Sequence, residues 1–220
     1  MRDFVIFAPE GVDVVGVYNV GTSSFSTVAI SVCGYYKFAG AVAVGTKVIF
    51  APRDADVIGV FNVGTNVFDS TGITGALGTS GRFQGAAAVG TKVVFAPSTA
   101  TVVGVYDVSA GTFEANVQST ATGGYRYNGA AAVGTRVVFV PYAASVVGVY
   151  DATTDSVDEA VSFGTTLTQN QKFNGAAVVG TKVIFAPDSE DVIGIFTLPP
   201  PPLPSSPPSS PPSPPTPPSP

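Results

Sequence analysis

The sequence predicts an all-β chain of stacked four-stranded units, and three observations carry that expectation. One phrase recurs four times at a spacing of 44 to 46 residues: KFAGAVAVGTKVIFAP from Lys37, RFQGAAAVGTKVVFAP from Arg82, RYNGAAAVGTRVVFVP from Arg126 and KFNGAAVVGTKVIFAP from Lys172. A truncated fifth copy, DFVIFAP, begins at Asp3. Apolar residues run consecutively, as in Val48-Ile49-Phe50-Ala51, where a sheet with one wet face would alternate them. Turn residues recur at fixed offsets between these runs.

Each unit reads as four strands, a to d. Strand a is a small-residue run, for example Gly85-Ala86-Ala87-Ala88-Val89, and strand b covers 92–96. Gly90-Thr91 lies between them and is repeated at Gly45, Gly134 and Gly180. Glycine first in a two-residue loop suits a type II′ hairpin, because glycine takes positive φ at least cost. Strand c falls at 14–18, 57–61, 102–106, 146–150 and 192–196. Asn19, Asn62, Asp107 and Asp151 follow it, each with a short side chain able to bond backbone two residues on. Strand d is more polar, at 113–117 and 157–161 for instance, and reads as an exposed outer edge.

Hairpins buried on both faces require sheet stacked on sheet, and radial stacking supplies this while asking for small side chains on the innermost strand. The prediction is therefore a β-propeller of about five four-stranded blades, or a part of a larger ring. The units are about 1–36, 37–81, 82–125, 126–171 and 172–198. The first has b, c and d but no a; the last has a, b and c. From Pro199 to Pro220, 14 of 22 residues are proline. Such a tail is expected to be disordered or extended as polyproline II, a linker reaching roughly 70 Å at about 3.1 Å per residue.

Composition narrows the function. Charged residues are 11% of the chain against roughly 25% in an average soluble domain, so much of the surface is expected to face protein. A net charge of −5 argues against sequence-independent binding of nucleic acid. Apolar runs stop after about five residues, far short of the roughly 20 a membrane-spanning helix needs, so no membrane insertion is expected. Histidine and tryptophan are absent and Cys33 is the one cysteine. An internal disulfide is thus impossible, a zinc site of the usual type cannot be built, and Cys33 reads as a small apolar filler. No cofactor is implied. Met1-Arg2-Asp3-Phe4 shows no basic region or apolar core of a secretory leader, and both an extracellular or wall location and a cytoplasmic one stay open.

Eight of the ten basic residues occupy two repeat positions. Lys47, Lys92, Arg136 and Lys182 follow the a–b turn; Lys37, Arg82, Arg126 and Lys172 open strand a. The second set is expected at the channel mouth together with the b–c loop acids Asp13, Asp56 and Asp191. These charges read first as salt bridges or solvated rims between blades. The sharper reading is a polar ligand face of Lys37, Arg82, Arg126, Lys172, Asp13, Asp56 and Asp191 for a protein or glycan partner. A weaker one is a calcium site from Asp54 and Asp56, or from Asp188, Glu190 and Asp191. No phosphate loop, serine nucleophile motif or histidine base is present, and the carboxylates recur with the loops, which favours structure over catalysis.

The phrase with its aromatic-x-Gly-Ala start, Gly-Thr-Lys turn, Val-Ile-Phe-Ala-Pro and Val-Gly-Val-Tyr-Asp resembles kelch-type and galactose-oxidase-like propeller repeats over residues 1–198. It is also similar to propeller repeats of algae, protists and bacteria. Ala-Pro stands where kelch has a Gly-Gly doublet, and the copper-radical chemistry of galactose oxidase has no histidine to hold its metal. The tail resembles the serine-proline spacers of algal and plant hydroxyproline-rich wall glycoproteins. The expectation is a non-catalytic interaction propeller on a proline-rich spacer. A structural wall glycoprotein is the alternative, and a propeller hydrolase or lyase stands third.

Overall fold

The computed structural model describes residues 3–198 apart from 74–76, 79, 163–166 and 168, and every helix-or-strand element among them is a β-strand. The strands form five antiparallel sheets, the blades of a propeller. Blade 1 holds β1 (Phe4–Phe7), β2 (Val14–Asn19) and β3 (Ser24–Ala29). Blade 2 holds β4 (Phe38–Val44), β5 (Lys47–Pro52), β6 (Val57–Asn62) and β7 (Val67–Gly72). Blade 3 holds β8 (Phe83–Val89), β9 (Lys92–Pro97), β10 (Val102–Asp107) and β11 (Thr112–Gln118). Blade 4 holds β12 (Tyr127–Val133), β13 (Arg136–Pro141), β14 (Val146–Asp151) and β15 (Ser156–Ser162). Blade 5 holds β16 (Phe173–Val179), β17 (Lys182–Pro187) and β18 (Gly194–Thr197). The proline-rich segment 199–220 lies outside the described residues.

Local chemistry sets the hairpins. Gly45, Gly90, Gly134 and Gly180 have φ of 58, 61, 61 and 62°, and none of the threonines after them has positive φ, as the two-residue turn requires. The carboxamide of Asn62 accepts the Gly64 N–H at 2.9 Å, and the carboxylates of Asp107 and Asp151 accept the N–H groups of Ser109 and Thr153 at 2.8 and 2.9 Å. Hydrogen bonds from the Ser109 hydroxyl and from the Ala110 and Ser109 backbone hold the Asp107 carboxyl below its ordinary range.

Each complete blade closes a group of side chains over the glycine of its third strand. In blade 2, Phe38, Phe50 and Phe68 come from β4, β5 and β7, with ring centroids 5.7 to 6.4 Å apart. A Cβ on Gly59 would meet these rings at 2.8 to 3.0 Å, which is why the position is glycine. Blade 3 repeats this with Phe83, Phe95 and Phe113 around Gly104. That face packs on the preceding blade: Phe38, Phe50 and Phe61 share a core with Val15, Val17 and Ile30 of blade 1. Strands β9 and β13 are buried on both faces, as their continuous apolar runs predict.

The inner strands stack in the order β4, β8, β12, β16, and the crowding there explains their composition. Each bulges at a glycine of positive φ: Gly40, Gly85, Gly129 and Gly175. A Cβ on Gly85 would lie 2.5 Å from the Gly129 Cα, and one on Gly40 3.0 Å from the Gly85 Cα. The series is open. Phe7 of blade 1 and Ile193 of blade 5 stay exposed, at positions where the inner blades bury Phe50, Phe95 and Phe139, and Ile58, Val103 and Val147.

One boundary differs from expectation. The last strand begins at Gly194, two residues later than predicted. In blade 2 the equivalent residues Val57 and Ile58 pair only with β7, whereas β5 reaches no further than Gly59. Blade 5 has no described fourth strand, so Val192 and Ile193 have no strand to pair with among the described residues.

Gly85→Ala combines positive φ with a backbone collision and is expected to lower stability in urea unfolding by about 2–5 kcal/mol. Gly134→Ala keeps the positive φ but meets no atom within 4 Å, so its expected cost is about 1 kcal/mol.

Candidate functional site

A relay of backbone hydrogen bonds runs along the arc at the leading ends of the inner strands. Lys37 N–H donates to Glu10 of blade 1, and the Lys37 carbonyl accepts from Arg53. The Arg53 carbonyl then accepts from Arg82, Arg82 from Ser98, Ser98 from Arg126, Arg126 from Tyr142, Tyr142 from Lys172 and Lys172 from Asp188. These bonds are 2.8 to 3.0 Å long. The residue opening each inner strand and the residue after each closing proline alternate in one belt joining all five blades.

The four basic residues at this position are buried side chains, 2 to 5% exposed. Each reaches back to the loop of the preceding blade. The Lys37 ammonium meets Asp13 at 2.8 Å and the Val12 carbonyl at 3.3 Å. The Arg82 guanidinium donates to Asp56 at 2.6 Å, to the Ala55 carbonyl at 2.8 Å and to the Gly78 carbonyl at 2.8 Å. Before Arg126 the loop has Thr101 where earlier loops carry aspartate, and Arg126 donates to the carbonyls of Ala100 and Thr99. Burial lowers its pKa, a shift that Glu159 opposes. Lys172 donates to the Ala143 carbonyl at 3.3 Å, and burial lowers its pKa against the pull of Glu190. Asp191 is exposed on the free side of blade 5. The structure thus joins Lys37 with Asp13 and Arg82 with Asp56 as blade-to-blade contacts, and keeps the four cations inside rather than on the rim.

Asp54 and Asp56, one half of the weak calcium candidate, are engaged elsewhere. Asp54 accepts the Gly81 N–H at 2.6 Å while Asp56 holds Arg82, and among the described residues no three acidic, histidine or cysteine side chains gather to hold a metal ion. Glu190 is turned to the Gln169 N–H at 3.2 Å. Cys33 is exposed in the loop between β3 and β4, not a buried filler. No described helix is long and apolar enough to cross a membrane.

What does line the predicted face is a cavity of about 330 Å³ bounded by Arg53, Gln84, Tyr125, Asn128, Tyr142 and Gln171. Gln84 and Asn128 are the second residues of β8 and β12; Arg53 and Tyr142 follow the closing prolines; Tyr125 and Gln171 precede the buried cations. The side-chain amides of Gln84 and Asn128 hold no hydrogen bond among the described residues. Arg53 bonds Glu10 at 2.8 Å and stacks over Tyr36, 4.3 Å from the ring centroid. Burial, with the Asp188 carboxylate, pushes the Tyr142 phenol up against a lowering hydrogen bond to Gln171, so it is a neutral hydroxyl at physiological pH. The sequence carried a sign of this cavity: the x of aromatic-x-Gly-Ala is Gln84, Asn128 and Asn174 in an otherwise small apolar strand.

A second polar cluster joins blades 3 and 4. Tyr127 replaces the phenylalanine of β4, β8 and β16, and its hydroxyl donates to Glu159 at 2.8 Å. Glu159 also accepts from the Ser119 hydroxyl at 2.7 Å and from the Ala121 N–H at 2.9 Å. Burial would raise the Glu159 carboxyl, but hydrogen bonds from Ser119, Thr120 and Tyr127 outweigh it and the pKa lies below its ordinary value. Lys92 reaches blade 4 in the same way, meeting Asp155 at 2.8 Å.

No protein-family profile and no curated protein matches the chain. Solved structures do. A catalytically inactive histidine-to-alanine variant of virginiamycin B lyase from Staphylococcus aureus, with quinupristin, superposes with a TM-score of 0.71 at 15% identity, over 90% of this chain and 63% of that one. The WD40 repeats of RRP9 give 0.66 at 10% identity over 89% and 58%. BamB from Moraxella catarrhalis gives 0.56 at 13% identity over 89% and 55%. The fold is a β-propeller. The chain spans less than two thirds of each of these three proteins.

Two outcomes follow from the contacts. Arg82→Met, which deserts buried carbonyls, is expected to cost about 2–4 kcal/mol in urea unfolding, whereas Asp56→Asn, at a side chain 89% exposed, costs under about 1 kcal/mol. Glu159 has a lowered folded pKa, so its stabilisation is present above its unfolded value of about 4.5 and is lost as pH falls through the folded value. Glu159→Gln should therefore lower stability by roughly 1–2 kcal/mol at pH 7, with the difference from the parent shrinking below pH 4.5.

Proposed function

We propose that the chain is a non-catalytic propeller module that binds a protein or glycan partner at the cavity between Gln84, Asn128 and Tyr142. The observation that carries this reading is the pair of unengaged amides beside a neutral phenol and a guanidinium, in a concave site spanning blades 2 to 5. Amides and phenols recognise hydroxyl and peptide groups by directional hydrogen bonds, and tyrosine adds an apolar ring face for a sugar or side chain. Of the expected ligand face, the buried cations Lys37, Arg82, Arg126 and Lys172 enter the proposal as the frame of this site, Asp13 and Asp56 as partners of Lys37 and Arg82, and Asp191 stays apart.

Solved propellers of similar fold include WD40 repeats and BamB, which supports a propeller without chemistry of its own as a workable reading. The lyase likeness supports catalysis less well, because replacing a histidine inactivates that enzyme and this chain has none. The proline-rich tail is read as a spacer presenting the module at a distance.

Screening the intact chain against glycan and peptide arrays tests the proposal. Binding is expected, and Gln84→Ala with Asn128→Ala should weaken it by about tenfold or more while leaving the melting temperature within a few degrees. No bound class on either array, or binding that this double change leaves intact, would sink it.

A further inference from the structure

The cavity between Gln84, Asn128 and Tyr142 sits in a local excess of positive charge. Blades 2 to 5 each open on a buried cation, but the loop of the preceding blade changes along the arc. Asp13 pairs with Lys37 at 2.8 Å and Asp56 with Arg82 at 2.6 Å. At the same loop position blades 3 and 4 have Thr101 and Ser145. Arg126 and Lys172 therefore hold loop carbonyls, and among the described residues neither has a carboxylate within ion-pair distance. Glu159 and Glu190 act on them only from further off. Both cations are chain neighbours of the cavity wall, since Tyr125 precedes Arg126 and Gln171 precedes Lys172.

A further cation belongs to the wall itself. Arg53 donates from Nη1 to Glu10 at 2.8 Å, its one hydrogen bond among the described residues, and the Tyr36 ring, 4.3 Å away, fixes the guanidinium plane. Its Nε is buried without an acceptor. A guanidinium carries five N–H donors and takes a carboxylate two at a time, so Glu10 leaves donors to spare. Gln84, 9% exposed, adds a nearly buried amide that is unengaged among the described residues. Cations without a close counter-charge favour an anion nearby, more strongly away from bulk water. Glu10 on Arg53 and Asp188 beside Tyr142 oppose a doubly charged group such as phosphate, which leaves a singly charged carboxylate as the best match.

The wall also says what carries that carboxylate. None of the lining side chains is aliphatic; each ends in an amide, a phenol or a guanidinium, so an apolar peptide residue finds no partner there. A sugar presents hydroxyls around its edge and C–H groups on its face, and Tyr125, 48% exposed, offers a ring for that face. The volume of about 330 Å³ is at the small end of ligand pockets, about 300–1,000 Å³, and suits a short oligosaccharide. We propose that the cavity binds an acidic oligosaccharide, a uronate whose carboxylate pairs with Arg53 while Gln84, Asn128 and Tyr142 hold its hydroxyls. This names the ligand class of the site described under Proposed function and rests on that reading.

Calorimetric titration of the 220-residue chain with trimers of galacturonate and of glucuronate, against trimers of galactose and of glucose, provides the test. A uronate is expected to bind about tenfold or more tighter than its neutral counterpart, with the margin narrowing as salt is raised. Arg53→Gln should erase the margin. If Arg53→Gln lowers the melting temperature by more than a few degrees, Thr101→Asp with Ser145→Asp decides instead. Both positions are exposed, and the change restores the carboxylates of the earlier loops. Uronate affinity should then fall about threefold or more while neutral sugars bind as before. Uronate and neutral trimers bound equally, and both weakened by Gln84→Ala with Asn128→Ala, overturn the acidic class and leave the cavity reading standing. An acidic peptide that binds where the uronates do not overturns the sugar assignment. Absence of uronate binding to protein that melts cooperatively overturns the proposal, and the glycan and peptide arrays then show separately whether the cavity reading falls with it.

Discussion

The inner strands approach one another backbone to backbone at Gly40, Gly85, Gly129 and Gly175, and the remaining structure is arranged around that approach. With no side chain to separate them, the leading ends of these strands come close enough for the residue opening each strand to donate its amide to the preceding blade. The belt so formed buries the side chain at that position, and a buried ammonium or guanidinium must find oxygen nearby. Loop carbonyls such as Ala55 and Ala100 supply it in every pair of blades that carries arginine there. Aspartate is an addition where the loop has one.

This order of dependence explains why the repeat tolerates Thr101 and Ser145 where other loops have aspartate. The carbonyls are fixed by the backbone and persist whatever the side chain is. It also explains the phenylalanines: once the inner strands are pinned, the three rings over Gly59 or Gly104 have one face left to bury, and the preceding blade covers it. Aromatic groups of this kind contribute area burial with an added geometric preference, which keeps the blades in a fixed rotation.

Much of this was legible in the sequence because the repeat states it four times. The two-residue turns at Gly90 and its equivalents, the polar side chain closing the loop at Asn62 and Asp107, and the continuous apolar run of β9 each follow from local chemistry. What the repeat could not convey was depth. A lysine or arginine opening an inner strand reads as a rim charge, since long cations are usually wet. Only the amide belt, which joins residues about 30 apart, shows that it is shut inside. The late start of β18 was hidden for a related reason: Val192 and Ile193 have the right composition for a strand, but the strand they would pair with is absent from the described residues of blade 5.

The candidate site was missed because it lies where the copies differ. Attention to what recurs selects Lys37, Arg82, Arg126 and Lys172, which the stacking itself requires. Gln84 and Asn128 stand two positions after a buried cation, where blade 2 has Ala39 and blade 5 has Asn174; Tyr125 stands one before, where blades 2 and 5 have Tyr36 and Gln171; and Tyr142 follows a closing proline, where they have Arg53 and Asp188. A repeated scaffold must reserve its identical positions for contacts between blades, and any single ligand meets the arc only once. On the proposed reading, recognition falls to the departures from the repeat, and the amides of Gln84 and Asn128 are departures of that kind.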